Sequence, residues 1–144
     1  LYIISMVWVA ILEEVIFRGL LFRAMEKEGR TAAIIVSSVT FGVGHIVNLL
    51  LWEPVFETLL QLVYASAIGF CYTAFFLVSG SILPCIVSHA VVNSLSVFAV
   101  ECSPEVNILI ALIQTAISLG YGLWLLAVHR STASANPEGI RPAP

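Results

Sequence analysis

The sequence predicts an all-α fold, a polytopic transmembrane bundle of about five membrane helices. Hydrophobic residues make up 60% of the 144 residues and charged residues 10%, whereas soluble domains have roughly 45–50% and about 25%. The mean hydropathy is +1.02. Five apolar stretches each approach the roughly 20 residues that a helix needs to cross a bilayer. A soluble domain would need many more polar side chains at its surface, so this composition excludes one.

The five predicted membrane helices follow one another, with most charged residues in their connections. The first contains Glu13, Glu14 and Arg18 in its interior and ends at Arg23, and the other four contain no charged residue. Gly80 with Pro84 marks the start of the fourth helix, since proline is tolerated in a first helical turn. Ser103-Pro104 interrupts the chain before the fifth helix. The segments are residues 1–23, 31–52, 58–79, 81–100 and 108–128.

Composition also predicts the domain organisation. Residues 1–130 form one domain that contains all five segments. Residues 131–144 are rich in Ser, Ala, Asn, Pro and Gly, and we expect them to be a disordered tail.

The basic loop residues predict the orientation in the membrane. Five crossings place Arg23, Lys27 and Arg30 on the same face as Arg130 and Arg141. The positive-inside rule makes this face cytoplasmic and the chain a multi-pass integral membrane protein. The loops of the opposite face contain glutamates as their only charged residues: Glu53, Glu57, Glu101 and Glu105.

Charge and cysteine content exclude several classes of function. A net charge of −3 without a basic patch argues against nucleic-acid binding. We expect the chain to be surrounded by membrane lipid. The three cysteines have no CxxC spacing, which indicates neither a disulfide framework nor a thiolate zinc site. All nine acidic residues are glutamates, which excludes an aspartate dyad.

Polar residues inside the predicted membrane helices are the functional candidates. An ionisable group at mid-membrane costs about 2.5–3.5 kcal/mol on insertion scales, so such groups are functional candidates by default. Three lie in the first segment and the rest are spread over the other four. They are Glu13, Glu14, Arg18, His45, Asn48, Gln61, His89, Asn93 and Gln114.

Spacing and depth suggest that some of these residues converge. Glu14 and Arg18 are four residues apart and can pair on one helix face, whereas Glu13 points about 100° away. At about 1.5 Å per residue, Glu13, His45, His89 and Asn93 all reach the middle third of the bilayer. Three helices therefore bring polar groups to a similar depth, where one cavity could contain them.

Each residue taken alone also has a structural interpretation. His45 or Asn93 could form interhelical hydrogen bonds, and Glu14–Arg18 could be a structural ion pair. The joint occurrence of four polar residues at matched depth favours a site. Small residues predict close helix packing at Gly42, Gly44, Gly120 and Gly122.

Three motifs resemble those of one family, the CPBP family of CAAX proteases and bacteriocin-processing enzymes, also called Abi. Glu13 to Gly19 reads EEVIFRG and resembles its EExxxRG motif. Phe41 to His45 reads FGVGH and resembles FxxxH, and His89 to Asn93 reads HAVVN and resembles HxxxN. The resemblance covers roughly residues 8–100.

The resemblance implies an intramembrane endopeptidase of the CAAX-prenyl-protease type, which cleaves a peptide or prenylated protein. It implies that Glu13 activates water, that His45 helps to hold this water, and that His89 and Asn93 stabilise the oxyanion. Glu14, Arg18 and Phe41 would support these residues.

Alternatives to this mechanism remain open. Glu13, His45 and His89 could bind zinc as two histidines and one carboxylate. We favour a mechanism without metal or other cofactor, because Asn93 is a poor zinc ligand and a good hydrogen-bond donor. A catalytically silent homologue that acts as a membrane scaffold or regulator is the second alternative. A proton-coupled transporter ranks behind it, since the third and fifth segments contain no ionisable residue that fits that role.

Overall fold

A computed structural model describes residues 1–100 and 102–135 of the chain, with side chains up to residue 132. This part is helical throughout and contains no β-strand, which confirms the predicted all-α bundle. Its α-helices are α1 (Tyr2–Glu14), α2 (Arg23–Met25), α3 (Arg30–Val43), α4 (Val55–Ser79), α5 (Leu83–Leu95) and α6 (Pro104–Ala135). Short 3₁₀ segments extend α2, α3 and α5, over Glu26–Glu28, Gly44–Leu51 and Ser96–Phe98.

A π-helix over Val15–Phe22 joins α1 to α2 without a break, and the sequence pattern does not predict it. The buried residues of this stretch recur every four positions. In a regular α-helix of 3.6 residues per turn, such a row would drift by about 40° per step. The wider i→i+5 turns of a π-helix reduce this drift. The π segment therefore keeps the row on one side of the helix: Ala10, Glu14, Arg18 and Phe22.

Three helical stretches are long and apolar enough to cross a membrane: Arg30–Leu51, Val55–Ser79 and Pro104–Thr132. The stretch Leu83–Phe98 is apolar but shorter. The α1 helix has only 13 residues before the π segment, and Glu13, Glu14 and Arg18 interrupt its apolar run. The apolar helices make this an integral membrane protein, while the count of five crossings and the side of each loop stay predictions.

The α4 helix is central, because it packs against α3 on one side and α6 on the other, while α1 packs mainly against α5. Two side-chain hydrogen bonds show antiparallel pairing. Tyr2 at the start of α1 bonds Ser96 just after α5, with 2.6 Å between the hydroxyl oxygens. Asn48, after α3, donates to Gln61 near the start of α4 at 2.7 Å.

Two of the four glycines predicted to allow close packing do so. A Cβ atom on Gly42 would lie 2.6 Å from the backbone oxygen of Leu62 in α4, and one on Gly122 would lie 2.7 Å from the Phe70 ring. The prediction is wrong for Gly44, whose nearest contact would be an ordinary 3.8 Å, and for Gly120, which has nothing within 4 Å. A Cβ atom on Gly44 would make ordinary contact with the Phe17 ring, and one on Gly120 would lie in open space.

The predicted tail is partly helical. Residues 131–135 continue α6, although their composition predicts disorder. The Ser131 and Thr132 hydroxyls donate to backbone oxygens one turn earlier, Ala127 at 3.0 Å and Val128 at 3.2 Å, so polar side chains are accommodated without ending the helix. The remainder of the predicted tail, 136–144, lies outside the described residues.

Replacing Gly42 by alanine should destabilise the bundle, because the new methyl group would meet the α4 backbone. Overpacking of this kind costs about 1–3 kcal/mol. The matched control is Gly120→Ala, which places the same methyl group in open space. The measurement is the unfolding midpoint of the purified protein in detergent. We expect Gly42→Ala to lower it and Gly120→Ala to leave it unchanged or raise it, and equal midpoints would contradict the packing.

Candidate active site

A buried ion pair occupies the centre of the bundle. The side chains of Glu14 and Arg18 are both 0% exposed, and Nη1 of Arg18 donates to Oε1 of Glu14 at 3.0 Å. The second arm of the guanidinium, Nη2, donates to the backbone oxygen of Gly69 in α4 at 2.6 Å. The EExxxR segment therefore contains an internal ion pair and is also hydrogen-bonded to the central helix, α4. The predicted pairing of one glutamate with Arg18 is present.

Aromatic rings enclose this pair. The guanidinium carbon of Arg18 lies 4.6 Å from the ring centroid of Phe41 and 5.5 Å from that of Tyr72, which are cation–π distances. The imidazole of His89 lies 5.4 and 5.3 Å from the same two centroids. Phe41 thus contacts the Arg18 side of the pair. Tyr72 was not identified from the sequence, where one tyrosine in an apolar helix has no distinguishing pattern.

His89 connects the buried pair to the second glutamate. Its Nδ1 lies 2.9 Å from Oε1 of Glu14, and since an ionised carboxylate only accepts hydrogen bonds, Nδ1 carries the proton. Its Nε2 lies 3.5 Å from Oε2 of Glu13 and 3.1 Å from the amide nitrogen of Asn93. Contacts from α1 and α5 therefore meet at one imidazole ring.

The two adjacent glutamates have different surroundings. The Glu14 side chain is 0% exposed and paired, whereas the Glu13 side chain is 31% exposed. Consecutive positions on a helix point about 100° apart, which explains how neighbours in sequence reach different environments. Glu13 is therefore the glutamate that can contact a water molecule or a substrate.

His45 approaches the same region from the end of α3. Its Nδ1 lies 3.1 Å from the backbone oxygen of Phe41. Because a carbonyl oxygen only accepts, Nδ1 carries the proton, and Nε2 of a neutral ring is left as an acceptor. The Phe41 ring lies 5.7 Å from the His45 ring, so one aromatic side chain contacts both histidines.

One cavity of about 840 Å³ brings the predicted catalytic residues together. Glu13, His45, His89 and Asn93 all line it, as do the polar residues Asn48, Gln61 and Gln114. Glu14 and Arg18 do not line it and lie behind the cavity wall, where Glu14 contacts His89. The volume is within the range of about 300–1,000 Å³ that is typical of ligand sites.

The positions of Glu13, His45 and His89 bear on whether these three residues could bind zinc. Over residues 1–100 and 102–135, no three His, Cys or Glu side chains form a group that could hold a metal ion. Both ring nitrogens of His89 already have polar neighbours within 3.5 Å, namely Glu14, Asn93 and Glu13. The side chains of Glu13, Glu14 and Asn93 form a hydrogen-bonded network around His89.

Comparison with known proteins gives one match. A family described as type II CAAX prenyl endopeptidase, Rce1-like, matches residues 1–95. The match includes all three motifs and ends in the last residue of α5. No curated protein matches the chain, and no solved structure matches it.

Breaking the buried pair should cost more stability than removing both charges. Arg18→Met leaves the Glu14 carboxylate buried with no cation beside it, and breaking a buried pair from one side costs about 3–5 kcal/mol. Adding Glu14→Gln to that variant removes the remaining charge and should restore part of the loss. The measurement is the unfolding midpoint of the two single variants and the double variant. Losses that simply add would show that the pair is not coupled.

Proposed function

Because the chain belongs to the type II CAAX prenyl endopeptidase (Rce1-like) family, we propose that it hydrolyses a peptide bond within the membrane with water activated by Glu13. The observation that carries this proposal is the separation of the two glutamates. Glu14 is buried against Arg18, while Glu13 lies at the cavity wall beside His89. A peptide or prenylated protein is the substrate class that the family supports.

Glu13 acts as general base and then as general acid. Its carboxylate takes a proton from water while the hydroxide oxygen attacks the carbonyl carbon of the scissile bond. The carbonyl oxygen becomes an oxyanion, which needs hydrogen-bond donors positioned in advance. When the C–N bond breaks, the leaving nitrogen takes the proton back from Glu13, so the enzyme returns to its starting state.

His89 can donate to the oxyanion only when both ring nitrogens carry protons, because Nδ1 already donates to Glu14. Charge balance supports this form. Two carboxylates, Glu13 and Glu14, then face two cations, Arg18 and the His89 imidazolium, and the buried cluster is neutral overall. A neutral cluster avoids the cost of an uncompensated charge in an apolar surrounding.

Asn93 supplies the second donor. Its side-chain amide nitrogen lies 3.1 Å from Nε2 of His89. A protonated Nε2 no longer accepts from this amide, so the Asn93 amide nitrogen and the Nε2 proton can both donate to the oxyanion. His45, whose Nε2 is left as an acceptor, helps to hold the attacking water.

Neither metal nor cofactor enters this mechanism, and the basic loops are proposed to lie in the cytoplasm. The hydrogen-bond network around His89 supports a mechanism without metal, because both ring nitrogens of His89 act as hydrogen-bond donors in it. The confinement of all basic loop residues to one predicted face supports the cytoplasmic placement of that face.

Glu13→Gln should abolish proteolysis and leave the fold intact, because glutamine has the shape of glutamate and cannot take a proton. The measurement is cleavage of a prenylated CAAX peptide, and of its unprenylated form, by purified protein in detergent. The control is Glu28→Gln, which removes an exposed carboxylate outside the cavity and should keep full activity. Full activity of the Glu13 variant would show that another group is the base.

Activity should survive prolonged treatment with phenanthroline, and the purified protein should contain much less than one zinc per chain. Phenanthroline would remove a catalytic zinc that has three protein ligands, and added zinc would restore it. His89→Ala should lower turnover by about 10²–10³-fold, the loss expected for one oxyanion donor, without a change in metal content. Stoichiometric zinc that is lost together with activity in His45→Ala and His89→Ala would establish a metalloprotease instead.

A further inference from the structure

Three carboxamide side chains that the proposed hydrolysis does not use line the same cavity as Glu13. They are Asn48 in the 3₁₀ extension of α3, Gln61 in α4 and Gln114 in α6. Each belongs to one of the three helical stretches that are long and apolar enough to cross a membrane, where a polar group without a partner is costly. Gln114 also lies beyond residues 1–95, the part of the chain that the family matches.

Hydrogen bonds within the protein use only a small part of the capacity of these amides. Nδ2 of Asn48 donates to Oε1 of Gln61 at 2.7 Å. Because an amide group has two N–H donors and an acceptor oxygen, this pair keeps a free carbonyl on one residue and free N–H groups on the other, whichever way the two amides are turned. Within residues 1–100 and 102–132, the Gln114 amide makes no hydrogen bond at all.

The unused amide atoms are accessible from the cavity. In the described part of the chain, the fully enclosed polar side-chain atoms without a partner are Oε2 of Glu14 and Nε of Arg18. The amide atoms of Asn48, Gln61 and Gln114 are not among them, although these side chains are half-buried. They therefore present donors and acceptors to the molecule that occupies the cavity.

The main chain of a polypeptide is the ligand that this chemistry fits. A peptide bond that is open to hydrolysis cannot remain inside a regular helix, so its neighbouring N–H and C=O groups lose their helical partners. In apolar surroundings these freed groups need new hydrogen bonds. A carboxamide has the same donor and acceptor as a peptide group and no charge, so it can pair with a main chain whatever the side chains are.

We propose that Asn48, Gln61 and Gln114 bind the main chain of the substrate and hold it extended in the cavity beside Glu13. This inference rests on the proposed endopeptidase function and assigns the part of the substrate that these residues contact. The Asn48–Gln61 pair also joins α3 to α4. Gln114 has no such structural bond among the described residues, so its replacement is the cleaner test.

A backbone ester scan tests these contacts. In a set of prenylated CAAX peptides, one amide at a time is replaced by an ester, which removes a single N–H and changes no side chain. Binding is measured in the Glu13→Gln background, so that no turnover interferes. An ester at a contacted position should raise Kd about threefold to tenfold, the loss expected for one net hydrogen bond.

Gln114→Met identifies the partner of that N–H, because methionine has nearly the length of glutamine and no amide. Added to Glu13→Gln, it should bind the amide and ester peptides equally at the position that Gln114 contacts. Gln61→Met should lose the discrimination at a different position. Each ratio is taken within one variant, so a loss of folded protein cancels. The matched control is Thr115→Val, the next residue of α6, which does not line the cavity and should keep full discrimination.

Turnover separates this inference from the reaction itself. With Glu13 intact, Gln114→Met should raise KM severalfold and leave kcat largely unchanged, because a contact away from the reacting carbonyl stabilises ground state and transition state alike. Discrimination that survives in both Gln114→Met and Gln61→Met would show that the amides contact only water or neighbouring helices, and would overturn the inference. Discrimination that is lost as expected, without Glu13-dependent cleavage, would contradict the proposed reaction alone.

Discussion

The buried ion pair of Glu14 and Arg18 is the interaction on which the rest of the structure depends. Two charges with no exposed surface, in a chain that is 60% hydrophobic, are tolerated only when they are paired and hydrogen-bonded. Arg18 meets this requirement by binding Glu14 and the Gly69 carbonyl, and Phe41 and Tyr72 cover its guanidinium. The pair thus joins α1, α3 and α4 at one point.

The same pair explains why two consecutive glutamates have different surroundings. Glu14 is committed to Arg18 and orients His89 through Nδ1, which leaves Nε2 directed toward Glu13 and Asn93. Glu13 thereby lies at the cavity wall beside an imidazole whose Nδ1 is already hydrogen-bonded to Glu14. In the proposed mechanism, the buried Glu14 positions His89 for the reactive Glu13, as outer-shell groups do in many hydrolytic sites.

Close packing at one end of the bundle and open space toward the other give the cavity its direction. Gly42 lets α3 approach the α4 backbone, and aromatic side chains fill the end near the basic loop. Toward the end that carries Glu53, Glu57 and Glu105, the cavity is lined by Asn48, Gln61, Tyr64 and Gln114.

The sequence by itself determined the all-α class, the membrane environment, the pairing of Glu14 with Arg18 and the residues that could form a site. These follow from composition and from spacing along a helix, which are local properties. Tertiary structure decided the π segment over Val15–Phe22, the contacts of Tyr72 and Gly69, the packing of Gly42 but not Gly44, and the end at which the cavity opens. Each of these depends on which faces of separate helices meet, and no periodicity within one segment contains that information.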